Sequence, residues 1–408
     1  MDAILAGRFA CSPLRSLRHR IANAIYPRLP RYREMQIRLQ QQEAEIARLR
    51  ATAAAPTYQK MGPVQHRPFD HFPALKVGRS DAFPAVSDDL IKRIKTAYRA
   101  AHVTEVGPTD SAWLSEFSTQ KSGIDRLLLN GGIGQIGAAL ANPLSNHLFH
   151  GFDSLTADET NDPPVLQWRA EWIYDNLLRF AEALGVRRMS NPESIADSFP
   201  PLEVLLESID DAVGFRVVFP NPFQNEAGLL TSRGIATYRA VQALYQAWRI
   251  RQTTGTGQVR VVEIGAGTGR TAFYARNFGI DNYTIIDLPM TNIAQAYFLG
   301  ATLGGDAIAL YGEQSTEHRI SVLPAATFFG SDTKFDLVVN VDSLTEMSAA
   351  TAVRYVSEIK MRSKAFLSIN HEANPFTVGE IAKSIAAAAS SREHHWMRRG
   401  YIEETFRF

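Results

Sequence analysis

Hydrophobic positions change their period along the 408 residues. In residues 31–52, RYREMQIRLQQQEAEIARLRAT, the side chains Tyr32, Met35, Leu39, Ile46 and Leu49 recur at a/d spacing, with Gln42 filling one d site. Such a helix packs on its own domain or pairs with a second copy as a short coiled coil. ATAAAPTYQKMGPVQHRPFDHFP follows, proline-bearing and without a period, and reads as a linker. From about residue 86 to 250 the spacing is mostly helical, as in SDDLIKRIKTAYRAAH, PVLQWRAEWIYDNLLRFAEAL and GIATYRAVQALYQAWRI. Leu166, Trp172, Ile173 and Leu177 mark the buried stripe of the second of these. From residue 258 short β-rich runs alternate with helical ones. QVRVVEIG, NYTIIDLP, AIALYGE, KFDLVVNVDS and KAFLSINHE read as strands, and RTAFYARNFG, MTNIAQAYFLGATLGG, MSAATAVRYVSEIKMR and VGEIAKSIAAAAS as helices. That alternation predicts an α/β fold, a mostly parallel sheet with helices on both faces. Two β-like runs around Gly400 in HHWMRRGYIEETFRF predict a hairpin closing the sheet edge.

Four segments result: an arm over 1–56, a linker over 57–85, a mainly helical region over 86–233 and an α/β domain over 234–408. A chain of this length exceeds one small core. The net charge is +1, so no global field draws in nucleic acid, and none is expected as a partner. The arm is different: its first fifty residues hold ten Arg against four acids. It could touch an anionic membrane surface as a peripheral contact. The single cysteine, Cys11, excludes a disulfide within the chain and suits a reducing cytoplasm. No run is long and apolar enough to predict a transmembrane helix, and the N-terminus lacks the order of a secretory signal.

The chemistry concentrates at residues 261–270, VVEIGAGTGR. An apolar strand ends at Glu263-Ile264, and Gly265, Gly267 and Gly269 turn the chain into a helix. Glycine permits close approach of a ligand, and the helix start offers free N–H groups. The turn is G-x-G-x-G, with Arg270 where a dinucleotide fold would carry its last glycine, so a nicotinamide cofactor ranks last. Asp287 ends the second β-run, where an acid can accept the ribose hydroxyls of an adenosine. GGIGQIG at 131–137 matches G-x-G-x-x-G but follows no β-run, and reads as a loop or helix start.

VVEIGAGTGR, YTIIDLP and FDLVVNVDSLTEM together resemble the motifs of class I S-adenosylmethionine-dependent methyltransferases, over about residues 235–408. The resemblance implies a Rossmann-like domain, S-adenosylmethionine as cofactor, and Glu263, Gly265, Gly267, Gly269 and Asp287 as cofactor contacts. A narrower likeness lies in NVDSLTEM, HHWMRRGYIEET and the helical TYRAVQALYQAWRI, which are similar to sugar O-methyltransferases of bacterial polysaccharide pathways. It implies a sugar or glycan hydroxyl as acceptor. Another small-molecule acceptor, or a non-catalytic scaffold with a degenerate methyltransferase domain, are the rival readings.

Methylating a hydroxyl needs alignment, exclusion of water and a base. His371 is the first choice of base because its ordinary pKa suits neutral pH; the alternative is a strand cap. Asp342, at the end of its β-run, and Glu346, one helical turn on, are further catalytic candidates. Asp342, Glu346, His371 and Glu372 could in principle hold Mg²⁺, but no spacing motif demands a metal, and none is expected. Arg239, beside Tyr238, either reaches the methionine carboxylate of the cofactor or forms an interdomain ion pair.

Overall fold

The computed structural model describes residues 72–81, 86–104, 122–143, 162–189, 199–398 and 400–408. The chain separates into Met1–Met61 and Gly62–Phe408, and all described residues belong to the second unit. The basic arm and the a/d-spaced segment 31–52 therefore lie outside the described residues, as does most of the 57–85 segment.

The expected alternation is present. Parallel strands β4 (Arg260–Ile264), β5 (Asn282–Asp287), β6 (Ile308–Leu310), β7 (Ile320–Pro324), β8 (Leu337–Val341) and β9 (Ala365–His371) form one sheet with the antiparallel pair β10 (Ala389–His394) and β11 (Tyr401–Arg407). Its order is β10-β11-β9-β8-β4-β5-β7-β6. Neighbouring strand residues alternate between two cores, as a sheet covered on both faces requires. Val261, Ile285, Leu337 and Val339 belong to one; Val262, Ile286, Val338 and Phe366 belong to the other. The fold is Rossmann-like, with a C-terminal hairpin at the sheet edge.

Two sheet details differ from the sequence reading. AIALYGE supplies only the short edge strand β6, and the strand beside β5 is β7, ISVLP, which is not among the β-runs of the sequence reading. Residues 378–390 are not one helix. Helix α11 (Val378–Ser384) stops, and Ala389 begins β10. The alanine run carries helix propensity, but pairing with β11 satisfies the backbone there and wins.

The first core continues without a break into the helical region. There α1 (Asp88–Thr104), α2 (Ser122–Asn130), α3 (Ile133–Ala141), α4 (Pro163–Ala183) and α5 (Leu202–Val213) precede a three-stranded antiparallel sheet. Its strands are β1 (Val77–Arg79), β2 (Ala227–Thr231) and β3 (Gly234–Ala236). Strands of three to five residues are too short to show a period of two, so the sequence hides them. Residues 131–137 form the start of α3, with Gly132 as its N-cap. In α4 the prolines sit at the first positions, where no N–H is needed. Leu166, Trp172, Ile173 and Leu177 are buried as expected, and α4 is buried far around its circumference, including an Asp175–Arg179 ion pair of 2.6 Å. Helix α6 (Tyr238–Thr254) is capped by the Thr237 hydroxyl and leads into β4. Beyond β4, α7 (Arg270–Asn277), α8 (Pro289–Leu303), α9 (Ala325–Phe329) and α10 (Ala349–Arg362) complete the layers.

Candidate functional site

The chain runs from β4 to one side of the sheet and later returns to β8 on the other side. Ligands of such sheets bind in the crevice at this reversal, beyond the carboxyl ends of the strands. The glycine turn stands there. Gly265, Gly267 and Gly269 have φ of 75°, 55° and 86°, the left-handed region that disfavours side chains. A Cβ on Gly265 would lie 2.1 Å from Ser343 Oγ, so the turn also needs close approach.

Asp287, at the end of β5, is tied to this turn. Its Oδ2 accepts the Ala266 N–H at 2.9 Å and the Gln295 side-chain N–H at 2.7 Å; Oδ1 accepts the Leu288 N–H at 2.8 Å. Burial pushes its carboxyl up to about 6, and these hydrogen bonds limit the rise. Gln295 also donates to Gly267 O at 3.0 Å, so one amide of α8 fixes both turn and acid. Nothing in the sequence pattern singled out Gln295.

Glu263 has another place than a cofactor contact. It is 2% exposed and accepts the Tyr283 hydroxyl at 2.9 Å from the neighbouring strand. Burial pushes its carboxyl up to about 7 against the hydrogen bonds from Tyr283 and Thr271. It ties β4 to Tyr283 of β5 and Thr271 of α7.

The carboxyl ends of β4, β8 and β9 are joined by a buried amide network. Asn340 Nδ2 donates to Ile264 O at 2.8 Å and to Ser343 Oγ at 2.6 Å. Its Oδ1 accepts from Asn370 Nδ2 at 2.9 Å. Asn340 is fully buried, and a polar residue inside the apolar run LVVNV was the signal that could have found it.

Asp342 takes φ of 68° just after β8. Its Oδ2 accepts from Arg398 at 2.7 Å and from Arg239 at 3.1 Å. Burial opposes its charge, but the Arg398 and Arg239 guanidiniums outweigh it and hold the carboxyl well below the usual carboxylate range. A carboxylate held so is a poor proton acceptor, so Asp342 does not have the properties of the base considered for it. Arg239 correspondingly forms the ion-pair alternative, inside one compact unit. Sequence reasoning missed Arg398 and Tyr401. Arg398 bonds the Tyr401 hydroxyl and lies over its ring, 3.6 Å from the centroid. Burial raises the Tyr401 phenol, which keeps its proton.

His371 ends β9 opposite Tyr401 and meets its ring edge-on at 5.4 Å. Its Nδ1 accepts the Ala373 N–H at 3.3 Å, the strand-capping role. Its Nε2 lies 3.5 Å from Asn374 Nδ2, and the Nδ1 lone pair a base needs is shared with the backbone. Glu346 lies half-exposed in a 3₁₀ turn, Leu344–Glu346. Glu372 pairs with Arg392 at 2.7 Å. Among the described residues no three His, Cys, Asp or Glu side chains gather to hold a metal.

Among the described residues no helix is long and apolar enough to cross a membrane. No protein-family model matches the chain, and no curated protein matches it. Solved structures similar to it include methyltransferases. The CcbJ methyltransferase from Streptomyces caelestis is 12% identical, with 41% of this chain and 89% of that one covered and a TM-score of 0.31. The magnesium protoporphyrin IX methyltransferase from Synechocystis PCC 6803, with bound S-adenosylmethionine, is 12% identical over 41% of this chain and 81% of its own, at 0.31. The glycopeptide N-methyltransferase MtfA, complexed with S-adenosylmethionine, is 14% identical over 41% and 94%, at a TM-score of 0.33.

Proposed function

We propose that the chain is an S-adenosylmethionine-dependent methyltransferase that methylates a hydroxyl of a sugar or glycan. The observation that carries the cofactor reading is the three-glycine turn at the sheet's reversal point, bonded through Ala266 to the strand-end acid Asp287. The donor set fits an adenosine. Three protein N–H groups and the Thr291 hydroxyl approach Asp287; the residue is half-exposed, so a ribose hydroxyl can compete for its oxygens. The turn brings backbone, not side chains, to the same crevice.

When bound, the cofactor supplies an electrophilic methyl group on a sulfonium. The protein's part is placement. Gln295 and Asp287 hold the turn in its bound shape before the ligand arrives. The Asn340–Asn370 network fixes the strand ends facing it. The helical region, whose core is continuous with the sheet, supplies walls that exclude water. His371 serves as base by releasing the Ala373 N–H from Nδ1 and taking the acceptor's proton there. The sugar assignment is supported by NVDSLTEM and HHWMRRGYIEET in the sequence. The a/d-spaced helix of 31–52 would join two copies, in a cytoplasmic enzyme whose basic arm contacts a membrane or glycan-assembly surface.

Calorimetric titration with S-adenosylhomocysteine tests the cofactor. Micromolar binding is expected for the wild type, weakened at least tenfold in Asp287→Ala, roughly the loss of one charge-assisted hydrogen bond. Absence of binding by the folded wild type would refute the methyltransferase reading.

A further inference from the structure

Two guanidiniums share one carboxylate oxygen at the mouth of the crevice. Arg239 comes from the first turn of α6, and Arg398 from the connection between β10 and β11. Both meet Asp342 Oδ2, and among the described residues neither has a second carboxylate partner. Each lies over a tyrosine ring, Arg239 at 5.0 Å from Tyr238 and Arg398 at 3.6 Å from Tyr401, so the rings take their flat faces; Arg398 spends one further N–H on the Tyr401 hydroxyl, and a guanidinium has five. Arg239 Nε is buried with no hydrogen-bond partner among the described residues. A buried donor without a partner is costly, and an oxyanion would satisfy it. The side chains are still 25%, 15% and 17% exposed for Arg239, Arg398 and Asp342, so a ligand group can reach them. Asp342 itself stands at positive φ, a conformation that neighbouring contacts must hold in place.

We propose that Arg239 and Arg398 form an oxyanion site for the acceptor, occupied by Asp342 at rest, so that the enzyme takes a sugar carrying a carboxylate or a phosphate. The proposal rests on the methyltransferase reading for the word acceptor. Position assigns the site to the acceptor side. The glycine turn and Asp287 stand on β4 and β5; Asp342 ends β8, the neighbour of β4, and Arg398 reaches it from the hairpin beyond β9, on the side of β8 away from the turn. A bidentate oxyanion makes stronger bonds with two guanidinium forks than a single shared Asp342 oxygen does. Asp342 therefore acts as a built-in competitor, released when the acceptor's anion arrives.

Inorganic phosphate and glucuronate are titrated, at constant ionic strength, into the full chain with and without saturating S-adenosylhomocysteine. Millimolar binding is expected in the wild type, with about a tenfold gain in Asp342→Asn, where the competing charge is gone. Binding is expected to vanish in Arg398→Ala; Arg398→Gln, which keeps the stem packed on Tyr401, guards against a folding defect and is expected to behave alike. S-adenosylhomocysteine affinity is expected to stay within about threefold in the Arg398 variants. A wild type indifferent to both anions overturns the site. A joint loss of S-adenosylhomocysteine affinity in Arg398→Gln, with 5′-methylthioadenosine, which lacks the carboxylate, unaffected, also overturns it by giving the guanidiniums to the cofactor. Should the wild type not bind S-adenosylhomocysteine, the methyltransferase reading fails alone, and the anion titrations of the free protein still decide the site.

Discussion

Glu263 shows what a single buried acid does to the balance of this fold. Its carboxyl rises from the ordinary 4.5 to about 7 because burial disfavours the charge more than the Tyr283 and Thr271 hydrogen bonds favour it. A raised acid contributes stability that is fully present below the unfolded value and is lost as pH rises through the folded one. The window here is therefore about pH 4.5 to 7. Glu263→Gln keeps an acceptor for Tyr283 and removes the ionisation. The variant is expected to gain on the wild type by about 2 kcal/mol between pH 5 and pH 8, measured as the difference in denaturant unfolding free energies. A constant difference across that range would show that Glu263 is not burdened by its charge. The acid before the glycine turn was legible as important, but its direction was not. Sequence spacing places a residue at a strand end, while the tyrosine of the next strand, facing the same side, decides what its side chain meets.

At the scale of elements, a charged staple outside the sheet joins α6 to the C-terminal hairpin. Glu403 on β11 accepts from Arg249 at 2.5 Å and from the Tyr245 hydroxyl at 3.1 Å, and His395 lies 3.5 Å away. Burial opposes the Glu403 charge, yet His395 and Arg249 hold its carboxyl below the ordinary value; burial also lowers His395. Glu403→Ala is expected to lower stability by about 3 kcal/mol, since it leaves a partly buried Arg249 without its acid. Glu403→Gln keeps the Tyr245 bond and is expected to cost less. With a lowered folded pKa, the advantage of wild type over Glu403→Gln should be present above pH 4.5 and disappear as acid protonates the native carboxyl. Equal stabilities at pH 7 would deny the tie. This staple carries Arg398 and Tyr401 to Asp342, and it explains why half the site escaped the sequence reading. The glycine turn, Asp287, Asp342 and His371 each follow a β-run, where strand ends are readable from the period. Arg398 follows a strand whose start was hidden in an alanine-rich run. Its importance arises only from the pairing of β11 with β9, a contact no local pattern encodes.

At the scale of the molecule, the sheet and the helical region are one folding problem. The sequence shift near residue 258 is a change of period, from helices to alternating strands, and suggested a boundary near 233. Yet Leu90, Ile94 and Tyr98 of α1, Ile173 and Leu177 of α4, and Val261, Ile285 and Val339 of the sheet lie in a single core. Arg93 on α1 reinforces it, donating to Glu313 at 2.7 Å and 2.8 Å, and to Gly305 O at 2.8 Å and Ile308 O at 3.0 Å beside β6. Gly300 on α8 leaves room for Leu90, whose Cδ2 would lie 2.6 Å from a Cβ there. A fragment of residues 234–408 would expose these faces to water at about 25 cal/mol per Å² of apolar surface, a large deficit against the narrow stability of any domain. It is expected to show no cooperative thermal transition and to bind the hydrophobic dye ANS, whereas the chain from Gly62 should unfold in one transition that includes the tryptophans of α4. A fragment that melts cooperatively near the temperature of the longer chain would mean that the helices only decorate a self-sufficient domain. In the shared-core case, a ligand that orders the crevice stabilises helices and sheet together, and the protection of α1 and α4 amides from hydrogen exchange should rise along with that of β4 and β8.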